Sequence, residues 1–322
     1  MNADGETDIL LTGATGFVGT AVLRELVERG AGPRVRALAR RPLPARASEA
    51  GVTTWRGDLR DPASLTGAGA GITTVLHLAS QVGGDPALCT AVNEQGTARL
   101  LEEAGTARTL YLSTCAVYRD GVHRGEREPV GGSGLETGPA SPTSRSRLAA
   151  ERLVLAAGGA VLRPHLIFGP GDRHVVPTLV RWARAVPAWA AGGSARTSLV
   201  AVADLAAVIA VLALTPGLAA AGDVFQVADP VPVPMRELIT KVCSLLDVPV
   251  PVEDLPWEEH RALTRAALPA LTDHQYSLLT QDHWYESSRI WARTGVSPGP
   301  GFATRLAEAA GWYRESLGAR KT

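Results

Sequence analysis

The sequence predicts an α/β protein in which a doubly wound, parallel sheet is joined to a smaller, mainly helical C-terminal lobe. Over the first half of the chain, short apolar runs alternate with segments whose apolar residues recur at helical spacing. Continuous apolar runs are typical of strands buried on both faces of a parallel sheet. After Pro164 the alternation loosens, and from Met235 onward the spacing is mainly helical. Strands alternating with helices favour parallel pairing with right-handed crossovers.

The elements follow from these runs in chain order. The predicted strands are residues 8–11, 35–39, 52–55, 73–78, 109–113 and 160–163, and the predicted helices between them are 17–29, 86–104 and 146–157. A return to the sheet is expected over 199–214, and a further strand over 223–227. We therefore expect a cofactor-binding domain over residues 1–165, completed by about 198–227, and a substrate-binding lobe made of 166–197 and 228–322.

Composition narrows the class of ligand. The chain has 322 residues, 45% of them hydrophobic, and its 32 basic residues balance its 32 acidic ones. Neither sign of charge is concentrated in one stretch, so a small molecule is expected as partner rather than a nucleic acid or a membrane. Cys89, Cys115 and Cys243 lack metal-ligand spacing, and no metal is expected. No apolar run approaches the roughly 20 residues of a membrane span, and a cytoplasmic location is expected. The oligomeric state stays open.

The turn after the first predicted strand has the spacing of a phosphate-binding loop. It reads Thr12-Gly13-Ala14-Thr15-Gly16-Phe17-Val18-Gly19. We expect Gly13 to permit a tight turn, Gly16 to let the backbone approach a pyrophosphate, and Gly19 to let the helix pack on the strand. A purely structural turn is the alternative. The predicted cofactor-binding residues of this loop are Gly13, Thr15, Gly16, Phe17, Val18 and Gly19.

The end of the second strand indicates which dinucleotide is bound. An NAD site usually places an acidic residue about 20 residues past the loop, whereas arginine there suits the 2′-phosphate of NADP. Here the position reads Arg40-Arg41, and no acidic residue occurs between Glu28 and Glu49. NADPH is therefore the expected cofactor, although two solvated surface arginines would give the same pattern.

Several motifs in chain order resemble those of extended short-chain dehydrogenases/reductases. Besides the glycine loop they are Gly57-Asp58-Leu59, His77-Leu78-Ala79, Asn93 with Gly96-Thr97, Leu162-Arg163-Pro164 and Phe168-Gly169-Pro170-Gly171. The resemblance implies a Rossmann-type sheet, with Asp58 at the adenine and with Pro164 and His165 flanking the nicotinamide. Taken alone, His165 would be a packed histidine at a strand end. The further cofactor contacts implied are Asp58, Leu59, Leu78, Ala79, Ser80, Ser113, Arg147, Pro164 and His165.

The acid-base residues of that family are missing. Its enzymes use a serine or threonine after the fifth strand, and a tyrosine followed four residues later by a lysine. Here Thr114 holds the hydroxyl position, Thr143 the tyrosine position and Arg147 the lysine position. No Tyr-x-x-x-Lys occurs anywhere in the chain, and Tyr285 with Arg289 is the nearest mimic. Arg147 keeps the charge and donors to bind a ribose, but an alkyl hydroxyl at residue 143 is too weak an acid to replace a phenol.

Three functions compete on these residues. The first, supported by a resemblance to atypical polyketide reductases, is an NADPH-dependent ketoreductase that acts on a ring ketone of an aromatic polyketide, of the angucyclinone kind, in antibiotic biosynthesis. Its proton would come from a substrate phenol, from water or from Thr114. The second is a nucleotide-sugar ketoreductase or epimerase, and the third is a non-catalytic NADP-binding sensor.

Aromatic residues in the substrate lobe favour a planar ligand, although each one alone is more often a core residue. These aromatic residues are Trp182, Trp189, Tyr276, Trp284, Tyr285 and Trp291. A sugar diphosphate is the alternative ligand, because the same lobe contains basic residues that suit a diphosphate. They are Arg181, Arg184 and Arg196.

Overall fold

The computed structural model describes residues 8–128 and 136–318. Its strands are β1 (Ile9–Thr12), β2 (Val35–Ala39), β3 (Thr53–Arg56), β4 (Thr74–His77), β5 (Arg108–Leu112), β6 (His123–Glu126), β7 (Ala160–Pro164), β8 (Leu166–Phe168), β9 (Ala188–Ala190), β10 (Arg196–Thr197), β11 (Leu199–Ala201), β12 (Val224–Val227), β13 (Val233–Pro234), β14 (Glu253–Leu255) and β15 (His283–Tyr285).

The α-helices of the described chain pack mainly on the two faces of the sheet and in the C-terminal lobe. They are α1 (Phe17–Glu28), α2 (Ala45–Glu49), α3 (Pro62–Leu65), α4 (Pro86–Cys89), α5 (Gly96–Ala104), α6 (Pro142–Ala156), α7 (Val175–Ala185), α8 (Val202–Leu214), α9 (Met235–Leu245), α10 (Trp257–Ala267), α11 (Asp273–Thr280), α12 (Ser288–Thr294) and α13 (Phe302–Gly318). A π-helical stretch, Thr90–Gln95, joins α4 to α5.

The central sheet confirms the predicted fold class. Seven strands lie in the order β12-β7-β5-β4-β1-β2-β3. Every neighbouring pair is parallel. The chain runs outward from β1 through β2 to β3, then crosses back to β4 on the other side of β1. This reversal opens a crevice at the carboxyl ends of β1 and β4, the place where sheets of this kind bind their ligands.

Both faces of the sheet are buried, as the continuous apolar runs predict. Ile9 and Leu11 of β1 belong to one core cluster with α1 and α8, whereas Leu10 belongs to a second cluster with residues of α5. Side chains of a strand alternate between faces, so one apolar strand serves two helical layers.

The expected return to the sheet over 199–214 is wrong. Only Leu199–Ala201 is a strand, and it pairs with β8 in a separate two-stranded sheet. The rest forms α8, which packs against α1. A continuous apolar run is compatible with a buried strand and with a buried helix. This run is longer than a typical strand, which favours a helix.

The C-terminal lobe is mainly helical, as predicted, and adds short strands that the sequence pattern did not indicate. Helices α7, α9 and α13 enclose an apolar core of their own. Strands β13, β10, β15 and β6 form a small sheet that joins this lobe to the segment after β5. The division of the chain into two domains near residue 165 stays a prediction.

Candidate active site

The glycine loop joins β1 to α1. Gly13 has φ +76°, and a Cβ added there would lie 2.7 Å from the backbone nitrogen of Ala79. A Cβ on Gly19 would lie 1.9 Å from the carbonyl oxygen of Gly13. At Gly16, which is exposed, φ is −84° and a Cβ would come no closer than 3.2 Å to another atom. Packing within the protein therefore requires Gly13 and Gly19, whereas at the exposed Gly16 the constraint is one tight contact with the Gly13 carbonyl oxygen.

The amino end of α1 suits an anion. No side chain caps this helix, and its first turn holds no acidic residue. Its first backbone amides and the positive end of its dipole are therefore available to a phosphate. The arrangement fits the pyrophosphate of a dinucleotide.

A buried hydrogen-bond chain fastens the two strands at the crevice. Nδ1 of His77 lies 2.8 Å from Oγ1 of Thr12, and its Nε2 lies 2.8 Å from Oγ1 of Thr97. Burial lowers the pKa of His77 to about 3, and the charge of Arg147 acts in the same direction. The imidazole is therefore neutral and structural. The Thr12 hydroxyl also accepts a hydrogen bond from the Ala79 amide at 3.1 Å, which fixes the chain after β4.

The expected adenine end carries several arginines. Arg40 and Arg41 are exposed directly after β2. The carboxylate of Asp58 accepts hydrogen bonds from Arg60 at 3.1 and 2.7 Å. These bonds lower the pKa of Asp58, and the charge of Arg40 adds to the effect. Asp58 is thus anionic and already paired, and its contact with adenine stays a prediction.

The sequence pattern did not single out Arg46. It lines a cavity of about 770 Å³ whose wall also includes Thr15 and Gly16 of the glycine loop. The sequence offers one hint of this, a third arginine six residues after Arg40. The fold brings that arginine to the cavity that the glycine loop also lines.

Asn93 holds the segment that follows β4. Its side-chain oxygen accepts from the Gln81 amide at 2.7 Å and from the Ser80 hydroxyl at 3.3 Å. Its nitrogen donates to the hydroxyl of Ser146 on α6 at 2.9 Å. Asn93 lies in the π-helical stretch, a distortion that is frequent at functional sites.

Thr143 is a structural anchor. Its hydroxyl accepts a hydrogen bond from the backbone nitrogen of Gly83 at 2.9 Å and lies 3.7 Å from Sγ of Cys89. The residue at the tyrosine position therefore ties the loop after β4 to the start of α6.

Arg147 is also engaged by the protein. Its Nη2 donates to the carbonyl oxygens of Leu112 and Ser113 at 2.8 and 2.7 Å, at the carboxyl end of β5. Its Nε is inaccessible to solvent and has no hydrogen-bond partner in the described chain. The guanidinium thus has one nitrogen committed to backbone and one unpaired donor at the expected ribose position.

Two hydroxyls follow β5. Oγ1 of Thr114 accepts a hydrogen bond from the Ala116 amide at 3.2 Å, so its own proton stays free to be donated. Oγ of Ser113 is buried, and among the described residues it has no partner. Both hydroxyls lie at the carboxyl edge of the sheet, as the resemblance implied.

A cavity of about 140 Å³ extends from Thr114 toward the C-terminal lobe. Its wall combines aromatic, imidazole and aliphatic side chains. The residues that define this histidine-lined cavity are Thr114, Tyr118, His123, His165, His274 and His283, with Cys115, Leu166, Leu278 and Tyr285. The sequence pattern missed this grouping, because the histidines come from distant segments with no common spacing.

Most of the aromatic residues expected in the substrate lobe are core residues. Trp182 and Trp189 lie in the core of the C-terminal lobe, and Trp291 in that of the main sheet. Tyr276 hydrogen-bonds His260 at 2.9 Å. Of the six, Tyr285 lines the histidine-lined cavity.

Tyr285 and Arg289 do not form a catalytic pair. Tyr285 stacks on Tyr118 with ring centroids 5.6 Å apart, and burial raises its pKa. Arg289 instead binds the carboxylate of Asp223 and the carbonyl oxygen of Val224, the latter at 3.1 Å. The guanidinium is therefore committed to the end of β12 rather than to the phenol.

Comparison with known proteins gives the family. A model of the NAD dependent epimerase/dehydratase family matches residues 9–228, more than half of the chain. The chain belongs to this family. It is accordingly an NAD(P)-dependent oxidoreductase of the extended short-chain kind, as the motifs predicted.

Two characterised relatives are reductases by name. A 2-alkyl-3-oxoalkanoate reductase of Stenotrophomonas maltophilia is 35% identical over 259 residues, which span 75% of this chain and 76% of that protein. A 4-hydroxy-2-methyl-3-oxo-4-farnesyl-3,4-dihydroquinoline-1-oxide ketoreductase of Stigmatella aurantiaca is 30% identical, over 78% of this chain and 77% of that one. Among solved structures, MoeE5 in complex with UDP-glucose and NAD is 25% identical and covers 96% of this chain and 99% of its own, with a TM-score of 0.69.

Within residues 8–128 and 136–318 no helix has the length and apolarity needed to cross a membrane. In the same residues no three histidine, cysteine or acidic side chains are grouped so as to hold a metal ion.

Proposed function

We propose that this chain is an NADPH-dependent ketoreductase that reduces a ring ketone of an aromatic polyketide and takes the proton from the substrate itself or from water. The substrate class is the angucyclinone kind, because the sequence resembles the angucyclinone ketoreductase of simocyclinone antibiotic biosynthesis. One observation carries the proposal: the position of the family's acid holds Thr143, whose alkyl hydroxyl is too weak an acid to replace a phenol and ties the loop at Gly83 to α6. We infer a small-molecule substrate and a cytoplasmic location.

The cofactor half of the site fits NADPH. The exposed backbone at Gly16 and the uncapped start of α1 suit the pyrophosphate. Arg40 and Arg41, both exposed, suit the 2′-phosphate. When bound, NADPH supplies the hydride.

The protein lacks a strong acid at the expected position. An alkoxide formed from a ketone needs a proton, and an alkyl hydroxyl such as that of Thr143 is a poor source. A phenol in the position next to the ketone removes the need, because it hydrogen-bonds the carbonyl oxygen and can give up its proton as charge develops there. Thr114 keeps a free proton and can orient the carbonyl from the protein side.

One relative and the lining of the cavity favour a ring ketone over a nucleotide sugar. The Stigmatella aurantiaca relative is named as the reductase of a 3-oxo group on a dihydroquinoline ring. Arg181, Arg184 and Arg196, which left a diphosphate open, are all exposed, and none of them lines the histidine-lined cavity. Imidazole and aromatic walls suit a flat, partly apolar ligand better than a diphosphate.

The test is a substrate panel. Purified protein and NADPH are incubated with aryl ketones that carry a phenol beside the carbonyl, with the same ketones lacking the phenol, and with nucleotide 4-ketosugars, while NADPH absorbance is followed. Selective turnover of the phenolic ketones is expected. Turnover of the ketosugars alone would instead establish the nucleotide-sugar function.

A further inference from the structure

We propose that His165 recognises the hydroxyl beside the substrate's ketone and, by donating a hydrogen bond to its oxygen, strengthens that hydroxyl as the proton donor. The inference rests on the proposed function, since it names the group that reads the substrate at the same site. It gives His165 a positioning role, separate from the nicotinamide contact that the resemblance implied.

His165 differs from the other histidines of the cavity in its hydrogen bonding. Each of the other three has a protein partner for one ring nitrogen. These pairs are His123 Nε2 with the Arg119 carbonyl at 2.9 Å, His283 Nδ1 with the Gln281 carbonyl at 3.0 Å, and His274 Nδ1 with Asp120 Oδ1 at 2.8 Å. Nε2 of His165 is inaccessible to solvent and has no partner among the described residues. A buried polar atom left unpaired is costly, so a ligand that pairs it gains affinity.

The ring of His165 is held in place by its neighbours. It stacks parallel to the ring of His283, with centroids 6.0 Å apart and planes 7° from parallel. It also meets the ring of Tyr285 edge-on at 5.4 Å. Packing fixes the imidazole without using its Nε2, which is the arrangement expected of a group that is set to bind something else.

His165 is a neutral donor. Burial lowers its pKa well below the ordinary value, and the neighbouring His283 and His123 act in the same direction. Burial likewise lowers the pKa of His283. A neutral imidazole carries one N–H donor at every pH above its pKa, so the hydrogen bond is available throughout the neutral range.

The ends of two neighbouring strands bring His165 and Thr114 to one cavity. β5 and β7 are neighbours, with Leu112 paired to Leu162. Thr114 and His165 follow these two strands at the same edge of the sheet and line the same cavity. We therefore assign these two side chains to two oxygens of the substrate, with Thr114 at the ketone and His165 at the phenol.

The proton transfer balances without a protein acid. Reduction forms a C–H bond at the carbonyl carbon, with the hydride that the cofactor supplies, and breaks the C=O π bond. The phenol proton moves to the new alkoxide oxygen, and the hydrogen bond from His165 stabilises the phenolate that is left. Water returns a proton to the phenolate, so the imidazole keeps its own proton.

Binding of a probe tests the hydrogen bond without turnover. The probe is tetralone with a hydroxyl peri to the ketone, and absorbance reports its ionisation when bound to wild-type protein, His165→Leu or His165→Gln. We expect the bound phenol to have a pKa about one to two units lower in wild type than in His165→Leu, the effect of one hydrogen bond to a charged oxygen. His165→Gln, whose amide N–H lies near the position of Nε2, should recover most of the difference.

Turnover separates this inference from the proposed function. His165→Leu should lower kcat for the hydroxytetralone about 10- to 100-fold more than it lowers kcat for plain tetralone. An unchanged Tm shows that the variant is folded; if His165→Leu does not fold, His165→Phe, which keeps a flat ring but has no donor, takes its place on the same two ketones. Equal losses on both ketones, or equal pKa values of the bound phenol, overturn the role of His165 and leave the ketoreductase intact. A wild-type protein that neither binds nor reduces either ketone overturns both.

Discussion

The glycine loop and the start of α6 lie at the same edge of one sheet, yet they relate to the sequence in opposite ways. In the loop, contacts within the protein require Gly13 and Gly19, and a Cβ on the exposed Gly16 would lie 3.2 Å from the Gly13 carbonyl oxygen. At the start of α6, Thr143 and Arg147 hold the family's catalytic positions but bind backbone groups of the protein. The difference is that the loop keeps glycine where backbone contacts demand it, whereas the family's acid-base positions here serve contacts within the protein.

The largest expected effect concerns the loop. Gly16→Val should weaken NADPH binding at least ~100-fold, because a side chain would stand where amides meet phosphate oxygens. Gly13→Val should also abolish binding, but its Cβ would meet the backbone of Ala79 at 2.7 Å, so that folding itself suffers. Titration calorimetry on Gly16→Val measures the effect. Gly311→Val, at a helix position with no atom within 4 Å, is the matched control. An unchanged NADPH affinity of folded Gly16→Val would show that this loop does not bind the phosphates of the cofactor.

The next effect is on stability and concerns the attachment of α6. Glu151 and Arg163 form a buried pair, with Nε to Oε1 at 2.9 Å and side chains 1% and 4% exposed. Glu151→Gln should lower the free energy of unfolding by about 3–5 kcal/mol, since it leaves a buried guanidinium without its counter-charge. Denaturant unfolding measures this. Glu25→Gln, which breaks the more exposed pair with Arg29, should cost less than about 1 kcal/mol. Equal costs for the two variants would show that the buried pair does not anchor α6.

A smaller effect concerns the choice of cofactor. Replacing Arg40 and Arg41 with alanine should raise KM for NADPH about 10-fold and leave KM for NADH within about twofold, because the lost charges face only the 2′-phosphate. Arg181→Ala, at an exposed position on α7, is the control and should change neither constant. If NADPH and NADH lose equally, the two arginines do not select the cofactor.

The smallest effect on kcat is expected at the family's acid-base positions, although a comparison with the family's sequences would suggest the largest effect there. Restoring the ordinary pair, Thr143→Tyr with Arg147→Lys, should raise kcat less than about threefold, since the protein does not depend on a tyrosine proton. The change also removes the hydroxyl that holds Gly83 and the guanidinium that holds Leu112. Thr143→Ser, which keeps the hydroxyl, is the control for the loop. A gain of 100-fold or more would mean that the missing acid limits the enzyme.

Much of the fold was predictable, because strand and helix periodicity is a local property of the chain. The segment 199–214 was mistaken because an apolar run does not distinguish a buried strand from a buried helix. At the site, the glycine roles could be predicted from steric requirements at adjacent positions. The partners of Thr143 and Arg147 could not, since Gly83 lies 60 residues away and Leu112 lies 35 away. The histidine-lined cavity was missed for the same reason, because tertiary packing alone assembles it.

The central claim is that the substrate, and not a tyrosine of the protein, provides the proton. The direct measurement compares kcat for the peri-hydroxy tetralone with kcat for its methyl ether, with binding of both confirmed by titration. We predict that methylation lowers kcat roughly 10²- to 10⁴-fold, the scale of general-acid and oxyanion contributions. A methyl ether that binds and is reduced as fast as the free phenol would contradict the account and make Thr114, or a water that it positions, the leading proton source.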